Sequence, residues 1–161
     1  MATYYYWHPV CLTHVPGPHH PESPERLKSV WAALSRAKFD GLKKIEAPEA
    51  SPEIIALMHE PNYVSKIFAV VPERNYAKLD PDTILSPGSG EAALHAVGGI
   101  CQAVDEVISG DANNAFCALR PPGHHAERAQ AMGFCLFNNI AIAAKHAQVN
   151  HGLNKVAVID F

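Results

Sequence analysis

Hydrophobic positions follow strand-like spacing in some stretches of the chain and helical spacing in others. The aromatic run Thr3–Trp7 is β-prone and predicts a first strand. The run Ala115–Leu119 is apolar without alternation, which is typical of a strand buried on both faces. Helices are predicted in five further segments. Two begin at the capping sequences Ser23-Pro24-Glu25 and Ser51-Pro52-Glu53, and three cover Tyr63–Val71, Glu91–Ser109 and Asn139–Val149.

The last third of the chain has the order strand, helix, strand. A second unalternating apolar run, Val156–Ile159, follows the predicted helix Asn139–Val149. This order predicts a right-handed βαβ unit in a parallel sheet, with strands Ala115–Leu119 and Lys155–Asp160 as neighbours. The carboxyl ends of the two strands would then lie side by side, at the edge where α/β proteins place their sites.

The segment Arg120–Asn139, which reads RPPGHHAERAQAMGFCLFNN, carries most of the candidate chemistry. Its two prolines prevent the strand from continuing, and the glycine allows a turn before His124 and His125. Imidazole titrates near neutral pH, so adjacent histidines suit acid–base chemistry. Taken alone the pair fits an exposed turn equally well. The neighbouring Pro-Pro-Gly and Gly-Phe-Cys favour a functional site.

This segment also resembles a known family. RPPGHHA followed by MGFCLFNNIAIAA is similar to the signature of zinc-dependent histone deacetylases and their bacterial acetylpolyamine and acetoin-utilisation relatives. The segment His20–Arg26, HPESPER, resembles the family's HPExPxR element near the pocket rim. The resemblance implies an α/β fold of the arginase-deacetylase type, with three layers around a parallel sheet. Residues 1–161 would be a truncated form of it, the N-terminal part of a single catalytic domain.

The resemblance implies hydrolysis of an acetylated amine, of the acetyl-lysine or acetylpolyamine type, by a zinc-bound water. His125 would lie nearest the water, with His124 behind it. Asp160 would orient His124 and help to bind a structural monovalent cation such as K⁺. The resemblance further assigns substrate contacts to four residues, namely Asp82 at the pocket mouth and Gly133, Phe134 and Cys135 in the pocket wall. Asp80 remains an alternative to Asp82.

The family's zinc-binding Asp-x-His-His-Gly run would follow directly after Phe161. The zinc ligands are therefore expected after Phe161, and this chain alone is expected to hold no stoichiometric zinc and to hydrolyse no acetyl-lysine substrate. One alternative is a catalytically inactive truncated deacetylase-like module. Another is a zinc-free hydrolase with Cys135 as nucleophile beside a histidine. A minority interpretation makes the proline-broken loop a metal site, with the ligands Cys11, His14, His19 and His20.

Composition adds constraints on partners and compartment. The net charge of −3 gives no basic footprint for direct nucleic-acid binding. No apolar run is long enough to cross a membrane, and the N-terminus lacks a signal-peptide pattern. The four cysteines form no CxxC pair, so reduced thiols in the cytoplasm are expected. Histone tails and small acetylated amides remain equally open as substrates.

Overall fold

Strands and helices are interspersed along residues 2–160, which the computed structural model describes. In chain order they are β1 (Thr3–Trp7), α1 (Pro24–Leu34), β2 (Leu42–Glu46), α2 (Pro52–Ile55), α3 (Pro61–Ala69), β3 (Ala77–Lys78), β4 (Ile84–Leu85), α4 (Ser89–Ser109), β5 (Asn114–Cys117) and α5 (Asn139–His151). Short 3-10 helices occupy Pro9–Leu12 and Ala37–Phe39. Within these residues, no helix combines the length and the hydrophobicity needed to cross a membrane.

The main sheet is parallel and has β1 at its centre, with β2 on one side and β5 on the other. Tyr4, Tyr5 and Tyr6 of β1 are all buried, because both faces of the sheet are covered. Tyr4 and Tyr6 pack against Ala103 of α4 on one face. Tyr5 packs against Leu27 of α1 on the other face. The predicted α/β architecture, with helices on both sides of a parallel sheet, is confirmed.

A second core lies between α2, α3, α4 and α5. Ile55, Ile67 and Val97 are almost fully buried there, and Leu136 and Phe137 from the segment before α5 join them. Cys101 of α4 also lies in this core. Since the segment Arg120–Asn139, called the central segment below, contributes Leu136 and Phe137 to this core, it is attached to the body of the domain at its carboxyl end.

The prediction of a strand at Lys155–Asp160 is wrong. Residues 152–160 form neither helix nor strand, and the side chains of Val156, Val158 and Ile159 are exposed. An apolar strand is stable only when its backbone is paired and its faces are covered. The residues that the structure describes provide neither for this segment, so the parallel neighbour predicted for β5 is not formed.

Glycine allows the loop after β2 to lie directly on α4. A Cβ atom on Gly98 would stand 2.1 Å from the carbonyl oxygen of Pro48 and 2.7 Å from the backbone nitrogen of Ala50. The loop is held at this distance because the Ala50 N–H donates to the Leu94 carbonyl, at 3.0 Å. No side chain fits between the two backbones.

We expect Gly98→Ala to lower the free energy of unfolding by about 1–3 kcal/mol, because the extra methyl group must push the loop away from α4. Gly41→Ala is the matched control, since a Cβ atom at Gly41 meets nothing within 4 Å. Urea denaturation followed by circular dichroism measures both changes. Equal unfolding free energies for the two variants would contradict the close packing.

Candidate active site

A buried ion pair fixes the start of the central segment. Arg120 follows β5 and donates from Nη2 to Glu22 Oε2 at 2.6 Å, while its Nε donates to Oε1 of the same carboxylate. The guanidinium also donates to the carbonyls of Cys11 and His14, at 2.7 and 2.9 Å. Arg120 is 3% exposed and Glu22 is 1% exposed. This bidentate ion pair connects the end of β5 to the N-terminal loop that follows β1.

His14 extends this network to the start of α4. Its Nδ1 lies 2.7 Å from the hydroxyl of Ser89, and its Nε2 lies 3.5 Å from Glu22 Oε2. Burial lowers the pKa of His14 to about 4, against the attraction of the Glu22 carboxylate, and the nearby Arg120 cation lowers it further. His14 is therefore neutral at pH 7, and its hydrogen bond to Ser89 attaches the N-terminal loop to the start of α4.

The minority interpretation of a metal site in this loop gains no support. Burial raises the pKa of the Cys11 thiol to about 11, so the sulfur is protonated at neutral pH. His14 is engaged by Ser89, and His19 is exposed. Among residues 2–160, the groups of donors whose ligand atoms converge do not include any of the four loop residues.

Two asparagines at the start of α5 hold the loop that carries the histidines. Asn138 caps α5 by accepting from the Ala141 N–H at 3.0 Å, and its amide donates to the carbonyl of Ala126 at 3.0 Å. Asn139 packs on Gly123, where a Cβ atom would stand 2.2 Å from the Asn139 Cγ. The two asparagines thus hold the histidine loop against the start of α5.

The loop borders a cleft of about 590 Å³. Most of the residues predicted to act on substrate line it, and the complete lining is Pro21, Glu22, Arg26, Asp82, Pro122, His124, His125, Gly133 and Phe134. His124 and His125 are both exposed, with ring centroids 4.1 Å apart. The structure thus brings the tandem histidines, Gly133, Phe134 and Asp82 together in one cavity.

Gly133 is required by its contact with His125. Its φ of +55° lies in the left-handed region. A Cβ atom at Gly133 would lie 2.7–2.9 Å from the Cβ, Cγ and Cδ2 atoms of His125. Both the backbone and the space favour glycine at this position. The His125 ring therefore rests directly on the backbone of the cleft wall.

Phe134 has a left-handed backbone as well, with φ of +67°. A bulky residue rarely adopts this conformation unless its surroundings hold it there. Its N–H donates to the hydroxyl of Thr83 at 3.2 Å, and its ring stands edge-on to His20 at 4.8 Å. Thr83 is fully buried. Sequence reasoning missed Thr83, whose only signal was its place inside the Asp-Pro-Asp-Thr turn.

The structure separates the two aspartates of that turn. Asp80 accepts from the Asp82 and Thr83 N–H groups and from the Thr83 hydroxyl. Burial opposes ionisation of Asp80, but these hydrogen bonds outweigh it and keep its pKa below the usual range. Asp82 is exposed and lines the cleft, while its carbonyl lies 3.0 Å from His20 Nε2. Asp80 shapes the turn, and Asp82 is the aspartate at the cleft.

Cys135 and Asp160 lie away from the cleft. Cys135 is fully buried, its thiol donates to the Gly133 carbonyl at 3.3 Å, and it is absent from the cleft lining. This arrangement gives no Cys–His pair for nucleophilic attack. Asp160 is exposed beyond α5, and within residues 2–160 it forms no hydrogen bond with His124. The predicted contact between Asp160 and His124 is absent because the strand that would carry Asp160 is not formed.

The described cleft residues do not complete a metal site on their own. A catalytic zinc needs about three protein ligands and one open position. Within residues 2–160, the groups of three converging donors are Asp105, His146 and His151, and Glu49, Glu91 and His95. Neither group belongs to the cleft lining. What the cleft offers is a pair of exposed imidazoles, an apolar wall and a carboxylate.

Comparison with known proteins gives matches to one protein family. Residues 20–161 match the model of the histone deacetylase domain. The chain is 34% identical to the histone deacetylase-like amidohydrolase of Pseudomonas aeruginosa, over 99% of this chain and 46% of that protein. It is 42% identical to human polyamine deacetylase HDAC10, over 87% of this chain and 22% of that protein. The crystal structure of the HDA15 HD domain superposes with a TM-score of 0.87 and 31% identity, covering 92% of this chain and 43% of that one. The chain thus spans less than half the length of these relatives.

The neutral state of His14 predicts a pH dependence of stability. An unfolded histidine gains a proton near pH 6.5, whereas folded His14 resists protonation down to about pH 4. Its contribution is present above pH 6.5 and is lost as the pH falls toward 4. The free energy of unfolding falls by about 3 kcal/mol over this range, because each unit of difference between the folded and unfolded pKa corresponds to about 1.4 kcal/mol.

His14→Asn should therefore make the unfolding free energy fall less steeply between pH 6.5 and 4, since the amide keeps a hydrogen bond to Ser89 but cannot be protonated. His19→Asn is the control, because His19 is exposed and its φ of +63° is one that asparagine tolerates. Urea unfolding at a series of pH values gives the slopes. Identical slopes for the parent and His14→Asn would contradict the assignment.

Proposed function

Because the chain belongs to the histone deacetylase family, we propose that the domain containing it hydrolyses the amide bond of an acetylated amine. The observation that supports this best is the cleft in which His124 and His125 lie exposed with ring centroids 4.1 Å apart. Amide hydrolysis needs a proton taken from water and a proton delivered to the departing amine. Imidazole can do both near neutral pH.

The two histidines have different surroundings and hence different roles in this proposal. His125 rests on the backbone of Gly133, which fixes its ring at the cleft wall. It takes the proton from the attacking water and later gives a proton to the leaving amine. His124 lies beside it, with its carbonyl 3.4 Å from the Asn138 amide, and stabilises the charge on its neighbour. Asp160 would orient His124 once the last predicted strand is in place.

The walls of the cleft fit a long apolar stem with a polar end. Phe134 provides an aromatic surface next to His125, and its backbone is fixed by Thr83. An aliphatic chain such as that of acetyl-lysine or an acetylated polyamine can pack on this surface. Asp82 offers a carboxylate at the mouth, where it can accept from substrate N–H groups. The buried Cys135 lies outside the lining, where its thiol donates to the Gly133 carbonyl.

We further propose that the domain uses zinc, which would acidify the attacking water and polarise the amide carbonyl. Because the described residues of the cleft do not hold three ligands, the zinc ligands must come from elsewhere in the domain, and we expect them after Phe161. Asp160 would help to bind K⁺ in the same region. We propose a cytoplasmic location, which suits the four free cysteines.

The alternative is a catalytically inactive deacetylase-like module made of this chain alone. The exposure of Val158 and Ile159 and the unformed last strand favour it for the isolated chain. We expect the 161-residue chain to show no turnover of acetyl-lysine or acetylated polyamine, whereas the complete domain turns over at least one of them. Activity in the isolated chain would contradict the proposed need for further residues.

In the complete domain, His125→Ala should lower kcat by about 10²- to 10⁴-fold, the usual contribution of general acid–base catalysis. Cys135→Ser is the control, because a buried thiol outside the cleft lining has no proton or bond to transfer. Steady-state rates on acetyl-lysine peptides and acetylated polyamines measure both. A Cys135→Ser enzyme that folds and holds zinc but is inactive would favour the nucleophilic alternative.

Asp160→Asn in the complete domain should lower kcat strongly with little change in KM. The amide keeps the shape of the side chain but lacks the negative charge, which would favour the positive charge that develops on the histidine pair as the reaction proceeds. Glu127→Gln is a suitable control, since Glu127 is an exposed carboxylate outside the lining of this cleft. An unimpaired Asn variant would reduce Asp160 to a structural role.

A further inference from the structure

A second group of donors lies where the end of α5 packs on α4. Asp105 comes from α4, and His146 and His151 come from the last two turns of α5. The Nε2 atoms of both histidines lie 2.6 Å from the same carboxylate oxygen, Asp105 Oδ1. None of the three residues lines the cleft of the tandem histidines. We propose that Asp105, His146 and His151 form a binding site for a divalent transition-metal ion of the zinc class.

The identity of the donors favours such an ion. Two imidazole nitrogens and one carboxylate oxygen are a ligand set suited to Zn²⁺, which binds nitrogen at about 2.0–2.1 Å and oxygen at about 2.0–2.2 Å. The three ligand atoms already lie within 4.8 Å of one another. Around a tetrahedral ion, ligand atoms stand roughly 3.3 Å apart. The 2.6 Å contacts must therefore open by less than 1 Å when the ion enters.

The three side chains are buried to different extents, and this allows the 2.6 Å contacts to lengthen. The His146 side chain is 6% exposed, which fixes its position between the helices. The side chains of Asp105 and His151 are 44% and 25% exposed. These two can rotate toward the ion, and the solvent side leaves room for water as a fourth ligand. His146 is therefore held in place, while Asp105 and His151 can adjust to the ion.

Asn150 supplies a hydrogen bond that suits both the metal-free and the metal-bound form. Its amide group lies 3.0 Å from His146 Nδ1. With the NH₂ group donating, Nδ1 is an acceptor and Nε2 carries the proton that bonds to Asp105. With the amide turned over, its oxygen accepts from Nδ1–H, and the Nε2 lone pair is free for the ion. A hydrogen-bonding partner on the second ring nitrogen of a histidine ligand is typical of metal sites.

The other converging group, Glu49, Glu91 and His95, makes a weaker case. It offers a single imidazole, and His95 Nε2 lies 3.5 Å from Glu49 Oε1. Both glutamates are exposed, and exposed carboxylates commonly stand together without an ion. We therefore use this group as the internal control. The α4–α5 site changes the expectation for the chain as a whole, because one zinc would bind without any residue after Phe161.

The test is a zinc titration of the untagged 161-residue chain after removal of metals by a chelator. Equilibrium dialysis with elemental analysis should give one Zn²⁺ per chain. Asp105→Asn and His151→Gln should each abolish stoichiometric binding. Both changes keep a hydrogen bond between the helices while removing a good zinc ligand. Asn150→Ala should retain the site but weaken zinc affinity by about 10- to 100-fold.

Two controls locate the ion. The double variant Glu49→Gln/Glu91→Gln and the double variant His124→Ala/His125→Ala should both keep one zinc per chain. In the parent, NMR signals of the His146 and His151 rings should shift on zinc addition, while those of His8 and His95 stay in place. The absence of bound zinc, its retention in both Asp105→Asn and His151→Gln, or shifts confined to His8 and His95 would overturn the proposal.

Discussion

The buried pair of Arg120 and Glu22 is the interaction on which the cleft depends. Removing a charge from water costs several kcal/mol, and only a complete set of partners offsets that cost. Here the guanidinium meets both carboxylate oxygens and the carbonyls of Cys11 and His14. Loss of either charged partner would leave the other buried and uncompensated, which typically costs about 3–5 kcal/mol. The pair thereby holds the end of β5, the loop after β1 and the entry to α1 in one place, and the cleft lies at their junction.

The cleft wall opposite the histidines is also held in place by a small number of specific contacts. Gly133 and Phe134 are consecutive residues with positive φ, and for phenylalanine this is costly. The hydroxyl of Thr83 holds the Phe134 N–H on one side. On the other side, Leu136 is fully buried and its carbonyl accepts from the Tyr63 hydroxyl at 2.6 Å. The wall is therefore fixed from both ends, so the His125 ring meets a rigid surface, as an acid–base group that must hold its geometry requires.

These contacts also explain which features could be predicted from the sequence. Local sequence patterns were sufficient for β1, for the helical face of α4 and for the presence of a strand before Arg120, since each pattern involves only near neighbours in the chain. The prediction that this strand is buried on both faces was wrong, because Phe116 of β5 is 49% exposed at the edge of the sheet. The histidine loop was recognisable because its prolines, glycines and histidines are adjacent. The partner of Arg120 was not, because Glu22 lies 98 residues away and no local pattern encodes that distance. Thr83 was missed for the same reason, and so was the meeting of Asp105 with His151 across two helices.

The wrongly predicted last strand shows the limit of periodicity most clearly. Val156–Ile159 has the composition of a buried parallel strand, but a strand also needs an edge to pair with and cover for its faces. Among the strands of residues 2–160, β5 pairs with β1 alone, and Phe116 on it is 49% exposed. The free edge of β5 lacks a pairing partner, and the exposed apolar segment lacks both a partner and cover. Pairing between them would therefore satisfy both. Pairing them in parallel would place residue 160 at the carboxyl edge beside Arg120. The position of Asp160 relative to His124 thus depends on completing the sheet.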